Sequence, residues 1–187
     1  MKALTILQPW ASLIACGAKK IETRSWATKY RGALAIHAAK FMFSPYACEL
    51  PDGLTKLAMD VLFPSSNGDP ANIYDNWHEL PHGCVIAIAD LVDCMSIVYY
   101  PGTDVEIAKR IEVGAESSTT NKRDPNFSKI FVPTPKEIAF GDWTPGRYAW
   151  LLENVRPIEP IPAKGMQRIW EWETPWILNW EVPPCSE

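Results

Sequence analysis

The 187-residue sequence contains no apolar run long enough to span a bilayer, which excludes a membrane-crossing helix. It contains no C-x-x-C pair, and its five cysteines (Cys16, Cys48, Cys84, Cys94 and Cys185) are scattered and odd in number. That pattern argues against a disulfide framework and for free thiols in a reducing compartment. The opening Met-Lys-Ala-Leu-Thr-Ile lacks the apolar core of a secretory signal, so a cytoplasmic location is expected. Histidines number three. His78, His82 and Cys84 have a spacing compatible with a metal, but no second ligand pair accompanies them. No carboxylate cluster suggests Mg²⁺. No metal or cofactor is therefore expected. There is no internal repeat and no low-complexity segment. A net charge of −4 argues against a nonspecific coat on nucleic acid.

Tryptophan and proline are plentiful, at nine and seventeen residues. Many prolines favour loops and short elements over long helices. Many tryptophans mean a Trp-rich core or surfaces on which flat rings stack. The length suits one domain with elaborations and a sizeable core. Charge is unevenly spread. Between residues 19 and 40, Lys19, Lys20, Arg24, Lys29, Arg31 and Lys40 face Glu22 alone, a local balance of +5 that leaves −9 for the remainder. A basic patch on an acidic body suits a selective anion site, provided the charges share a face once folded.

Residues 3–7 read as a short apolar strand. Gln8-Pro9 starts a short helix over residues 10–16, with Trp10, Leu13 and Ile14 on one face, and Gly17 ends it. Residues 20–26 have strand character, with Lys20, Glu22 and Arg24 on one face and Ile21 and Thr23 on the other. That charged face is either a solvated edge or a site wall in which Glu22 holds Arg24. Residues 32–39 read as a central strand, with His37 a hydrogen-bonded core histidine at its end. Residues 44–62 are helical by pattern, and 63–82 form a polar connector. Residues 83–93 are the clearest strand. Residues 100–135 read as an excursion with a helix over 105–113. The turn Thr144-Pro145-Gly146 launches a strand with Tyr148, Trp150 and Leu152 on one face, and Pro157 and Pro160 break its extension. Residues 169–172 begin a Trp-rich terminal element, with Trp150 and Trp170 expected in the core. Short strands joined by Pro/Gly turns predict an α+β fold: a small, partly open β-barrel with surrounding short helices.

Three stretches carry a family resemblance. The first runs from Trp10-Ala11-Ser12-Leu13-Ile14 to Gly17-Ala18-Lys19-Lys20-Ile21-Glu22-Thr23-Arg24-Ser25-Trp26. The second is Arg31-Gly32 with His37-Ala38-Ala39-Lys40. The third is Phe140-Gly141 with Pro145-Gly146-Arg147-Tyr148-Ala149-Trp150, closing at Pro160-Ile161-Pro162-Ala163-Lys164-Gly165. In order and spacing they resemble the ASCH family, whose signature is G-x-K-x-x-E-x-R. The resemblance implies a PUA-like barrel over residues 1–172, with an insertion at about 100–135 and a tail at 173–187. It also implies a cleft that binds RNA or DNA. Some small relatives remove the acetyl group from acetylated cytidine with a Lys, a Thr and a Glu. Lys19 takes the Lys position here, while the Thr position falls on Glu22, a departure. Glu112, Glu116 and Glu137 are the candidates for the third residue.

Three functions follow as expectations. The first is binding of single-stranded RNA, or of a modified nucleotide, in a cleft lined by Trp10, Lys19, Lys20, Glu22, Arg24, Ser25, Trp26, Arg31, Arg147 and Tyr148. The cations would meet phosphate, and Trp10, Trp26 or Tyr148 would stack on a base. The second is hydrolysis in the same cleft, of a nucleoside amide or of RNA without metal, with Lys19 and Glu22 catalytic. Lys19 would then need its pKa lowered from about 10.4 toward 7. The third is a small-anion site in an interaction protein. A monomer with no membrane partner is expected.

Overall fold

The computed structural model describes residues 1–41, 54–64, 78–99, 106–110, 130–131 and 133–175. Among these, the chain runs β1 (Lys2–Ile6), α1 (Trp10–Ala15), β2 (Ile21–Arg24), β3 (Gly32–Ala38), α2 (Leu54–Leu62), β4 (Cys84–Tyr99), β5 (Glu106–Arg110), β6 (Ile130–Phe131), α3 (Pro135–Ala139), β7 (Tyr148–Pro162) and β8 (Ile169–Glu171). The strands form one mixed sheet whose main path is β2-β7-β4-β3-β1-β8, with β5 and β6 attached beyond β4. β1 and β3 run parallel, while β4 pairs antiparallel with both β3 and β7.

The sheet curls into a half-barrel. Along the hydrogen-bonded path β7, β4 and β3 separate β2 from β1. Yet the Arg24 guanidinium at the end of β2 donates to the Thr5 carbonyl of β1 at 2.9 Å. Only a curled sheet brings those strands within reach of one side chain. This is the PUA-like α+β architecture expected from the sequence.

The apolar pattern explains how the curl is filled. Ala11 and Ile14 of α1 pack with Leu4, Ile36, Leu91, Trp150 and Leu152 in the main core. Leu13, one residue round the helix, meets Ala58 of α2 and Phe140 after α3. Burying one such side chain is worth about 1.5–3 kcal/mol. Helix α1 ends as its composition requires, because Gly17 takes a φ of +76° and its N–H donates to the Ile14 carbonyl at 2.8 Å. At the other end, the Gln8 side-chain oxygen accepts the Ser12 N–H at 3.1 Å, which satisfies one orphan donor of the first turn.

Two sequence expectations are corrected. The helix expected over residues 105–113 is replaced at residues 106–110 by strand β5, paired antiparallel with β4 from Met95 to Tyr99. The reason is tertiary: β3 pairs with β4 only as far as Leu91, so the end of β4 offers an edge that β5 completes. Likewise Pro157 and Pro160 do not break β7, which runs unbroken to Pro162. Its pairing with β4 shifts register at Val85/Ala87 and Ile88/Asp90, around the position where Pro157 faces Ala87. Such irregularities accommodate residues that cannot donate to a ladder. Of the helix expected over 44–62, residues 54–62 are helical, and 44–53 lie outside the described residues.

His37 is fully buried, as expected, with its Nε2 3.0 Å from the Ala163 carbonyl and its ring edge-on to Trp170. The loop after β7 packs directly on it. A β-carbon at Gly165 would stand 2.4 Å from His37 Cε1 and 3.0 Å from Thr5 Oγ1. Gly165→Ala is therefore expected to destabilise the fold by about 1–3 kcal/mol, as overpacking does, read as a lower urea midpoint. Burial also lowers the His37 pKa from its ordinary 6.5, so the folded state resists protonation of this ring. As the pH drops through 6.5 the unfolded chain takes up this proton more readily than the folded chain, so stability falls through that window. Urea midpoints measured from pH 7.5 to 5.5 should decline in the parent, with a slope of at most about 1.4 kcal/mol per pH unit from this ring, and less steeply in His37→Gln.

Candidate functional site

A cavity of about 630 Å³ opens at the seam where the curled sheet brings β2 beside β1. Strand β1 and its exit contribute Thr5, Ile6 and Leu7, α1 contributes Trp10, and Ala39, just past the end of β3, lies on the wall. Glu22, Arg24 and Trp26 come from β2 and the turn after it, and Met166, Gln167 and Arg168 from the loop before β8. The volume is in the range of pockets that take small molecules and single nucleotides.

The floor is built on a buried charge. Lys19 is 1% exposed. Its ammonium donates to the Ile21 carbonyl, and to the Phe140 carbonyl at 2.9 Å, just past the end of α3. Glu22 Oε2 lies 3.6 Å away. Burial pushes the Lys19 pKa below its ordinary value, while Glu22 and Glu137 oppose the shift. Glu22 in turn pairs with Arg24, whose Nε stands 3.0 Å from Oε1. A chain of alternating charge thus runs from the core to the cavity wall: Lys19, then Glu22, then Arg24, then the Thr5 carbonyl.

The helix α3 clamps this arrangement from behind. Thr134 caps it by accepting the Glu137 N–H at 3.2 Å. The Glu137 carboxylate accepts the backbone N–H of Lys20 at 2.7 Å and of Ile21 at 3.3 Å, at the start of β2. Of the three carboxylates named for a third site residue, Glu137 therefore serves the backbone behind the cavity. Glu112 and Glu116 lie outside the described residues.

The predicted residues do not all converge. Trp10, Glu22, Arg24 and Trp26 line the cavity, and Lys19 reaches it only through Glu22. Lys20 and Ser25 are exposed outside its lining. Arg31 pairs with Asp93 at 3.1 Å, and Arg147 lies 3.2 Å from Asp142. Tyr148 packs half-buried against the main core. The hydroxyl of Thr23 accepts the Asp142 N–H at 3.0 Å, so Thr23 faces away from the Glu22 side. The compact basic patch expected from residues 19–40 is thus dispersed. One of its cations is buried, and two are matched by carboxylates within the fold.

Trp26 packs on the core and also reaches the cavity. Its ring meets Trp150 edge-on at 4.6 Å. Trp150 and Trp170 are core, as expected. The contribution of residues 166–168 was not visible beforehand. Arg168 adopts a φ of 59° and sets its guanidinium 5.7 Å over the Trp26 ring. A cation immediately before the Trp-rich terminal element was the available signal.

A curled half-barrel with a cleft at its seam and short flanking helices defines a PUA-like domain. Within that class the chain belongs to the ASCH domain family, whose model matches residues 4–162. It is also 36% identical over 95 residues to Activating signal cointegrator 1 from Homo sapiens, a match covering 50% of this chain and 14% of that protein. The protein of the same name from Mus musculus matches to the same extent. The chain thus spans only a small part of the length of these relatives. Among the described residues, no helix is long and apolar enough to cross a membrane.

Lys19 and Lys20 are adjacent in sequence and opposite in role. Lys19→Met removes a buried cation from beneath Glu22 and is expected to cost about 3–5 kcal/mol. Lys20→Met, on the surface, should stay within about 0.5 kcal/mol of the parent in the same urea titrations.

Proposed function

We propose that this ASCH domain binds nucleic acid by taking a single nucleotide, from single-stranded RNA or as a modified nucleotide, into the cavity at the half-barrel seam. Family membership supports a nucleic-acid interaction in general. One observation carries the finer reading: Trp10, Trp26, Arg24 and Arg168 line one nucleotide-sized cavity, with Arg168 placed over the Trp26 ring. Indole walls suit a base, and the guanidinium groups suit a phosphate or a ring face.

Binding is favoured over hydrolysis by the placement of Lys19. Its ammonium donates to two backbone carbonyls, and Lys19 is not among the residues that line the cavity, whereas Glu22, 3.6 Å from that ammonium, is. An attacking amine or a general base must be within reach of the substrate. Here Lys19 acts by holding Glu22.

Tryptophan fluorescence titration with single-stranded RNA and with duplex RNA tests the reading. Single strands should bind more tightly. Trp26→Ala should weaken binding roughly 5- to 150-fold, the equivalent of one stacked base at about 1–3 kcal/mol. Few phosphates are engaged, so log K should fall with log salt at a slope shallower than about −2. Equal binding to duplex, or a steep salt slope with no effect of Trp26→Ala, would defeat the single-nucleotide cavity.

A further inference from the structure

The lining of the cavity includes one carboxylate, Glu22, whose side chain is only 10% exposed. An ionised carboxylate accepts hydrogen bonds and donates none, and its two oxygens offer about four acceptor sites. Oε1 faces Arg24 Nε at 3.0 Å, and Oε2 lies 3.6 Å from the Lys19 ammonium, beyond hydrogen-bond distance. Two of the three Lys19 N–H groups go to the Ile21 and Phe140 carbonyls. The two cations thus hold Glu22 in place by charge and leave acceptor capacity on a side chain that lines the cavity. A ligand that fills the space must present a donor there, because a carbonyl oxygen against this carboxylate would meet like charge without a hydrogen bond.

We infer that Glu22 reads the edge of the bound base through an exocyclic amino group, so that the cleft selects amino-bearing bases over their oxo counterparts. This rests on the nucleotide-binding reading above and names its ligand class. Cytosine offers an amino group where uracil offers a carbonyl oxygen, and adenine does so where hypoxanthine offers one. Each pair keeps ring size and stacking nearly constant while inverting the group that faces Glu22. A carboxylate accepting from the cytosine amine is an established form of base readout. The base arrives either as a free nucleotide or unstacked from a strand, and both sources present the same edge.

The test is a titration of the full chain with CMP against UMP and AMP against IMP, followed by short cytidine and uridine oligoribonucleotides of equal length. The amino-bearing member of each pair should bind roughly 5- to 150-fold more tightly, the range contributed by one base-edge contact. In Glu22→Gln, whose amide both donates and accepts, that gap should shrink toward equality. Equal affinity for both members of each pair in the unaltered chain overturns the inference and leaves nucleotide binding standing. Binding of none of the mononucleotides and neither oligomer overturns the nucleotide reading itself. If oligomers bind and mononucleotides do not, the cytidine–uridine gap decides alone, and the base comes from a strand. Should Glu22→Gln fail to fold, the discrimination measured in the unaltered chain is still decisive.

Discussion

The buried ammonium of Lys19 is the constraint around which the site is organised. Taking a charge out of water costs several kcal/mol unless partners replace the solvent. Lys19 has three: the Ile21 carbonyl, the Phe140 carbonyl and, at 3.6 Å, Glu22. Those partners come from β2 and from the segment after α3. Satisfying one charge therefore ties the start of β2 to a stretch some 120 residues further along the chain. The Glu137 carboxylate reinforces the tie by holding the first N–H groups of β2. The Trp143 indole adds a bond to the Glu137 carbonyl at 2.9 Å.

The seam of the half-barrel depends on the same chain of charge. Arg24 carries it from Glu22 to the Thr5 carbonyl, so an edge strand is held against the far side of the sheet by a side chain rather than by a ladder. A seam closed by side chains leaves room, and the cavity occupies it. The other wall rests on His37, which anchors the loop after β7 through Ala163 and meets Gly165 closely. Arg168 follows three residues later, over Trp26. The positions of the cavity residues thus derive from polar contacts in the core.

That economy bears on the electrostatics. Cations that look in the sequence like a phosphate-tracking stripe are largely committed within the fold: Lys19 to its carbonyls, Arg24 to Glu22, Arg31 to Asp93 and Arg147 toward Asp142. Among the described residues, the cavity lining includes indole surface, two guanidinium groups and one carboxylate. That lining lacks the uniform positive charge of a groove for a long polyanion.

Much of the architecture was legible in residue order alone. Helix α1 and its glycine stop, the central strand from Cys84, the strand through Trp150 and the core role of His37 follow from local periodicity and turn chemistry, which are short-range properties. The Lys-x-x-Glu-x-Arg spacing marked a segment of which Glu22 and Arg24 line the cavity. Residue order did not determine which of its charges meet the cavity. Lys19 and Lys20 differ by one position, and one is buried while the other is solvated. The strand at residues 106–110 was decided by an open edge of β4, against local helical pattern. Arg168, Gln167 and Met166 joined the site only because the sheet curls and the loop seats on His37. Sequence determined the elements because their causes lie within a few residues. Tertiary structure decided the site because its causes, burial of Lys19 and the contacts Lys19–Phe140, His37–Ala163 and Arg168–Trp26, join residues more than a hundred positions apart.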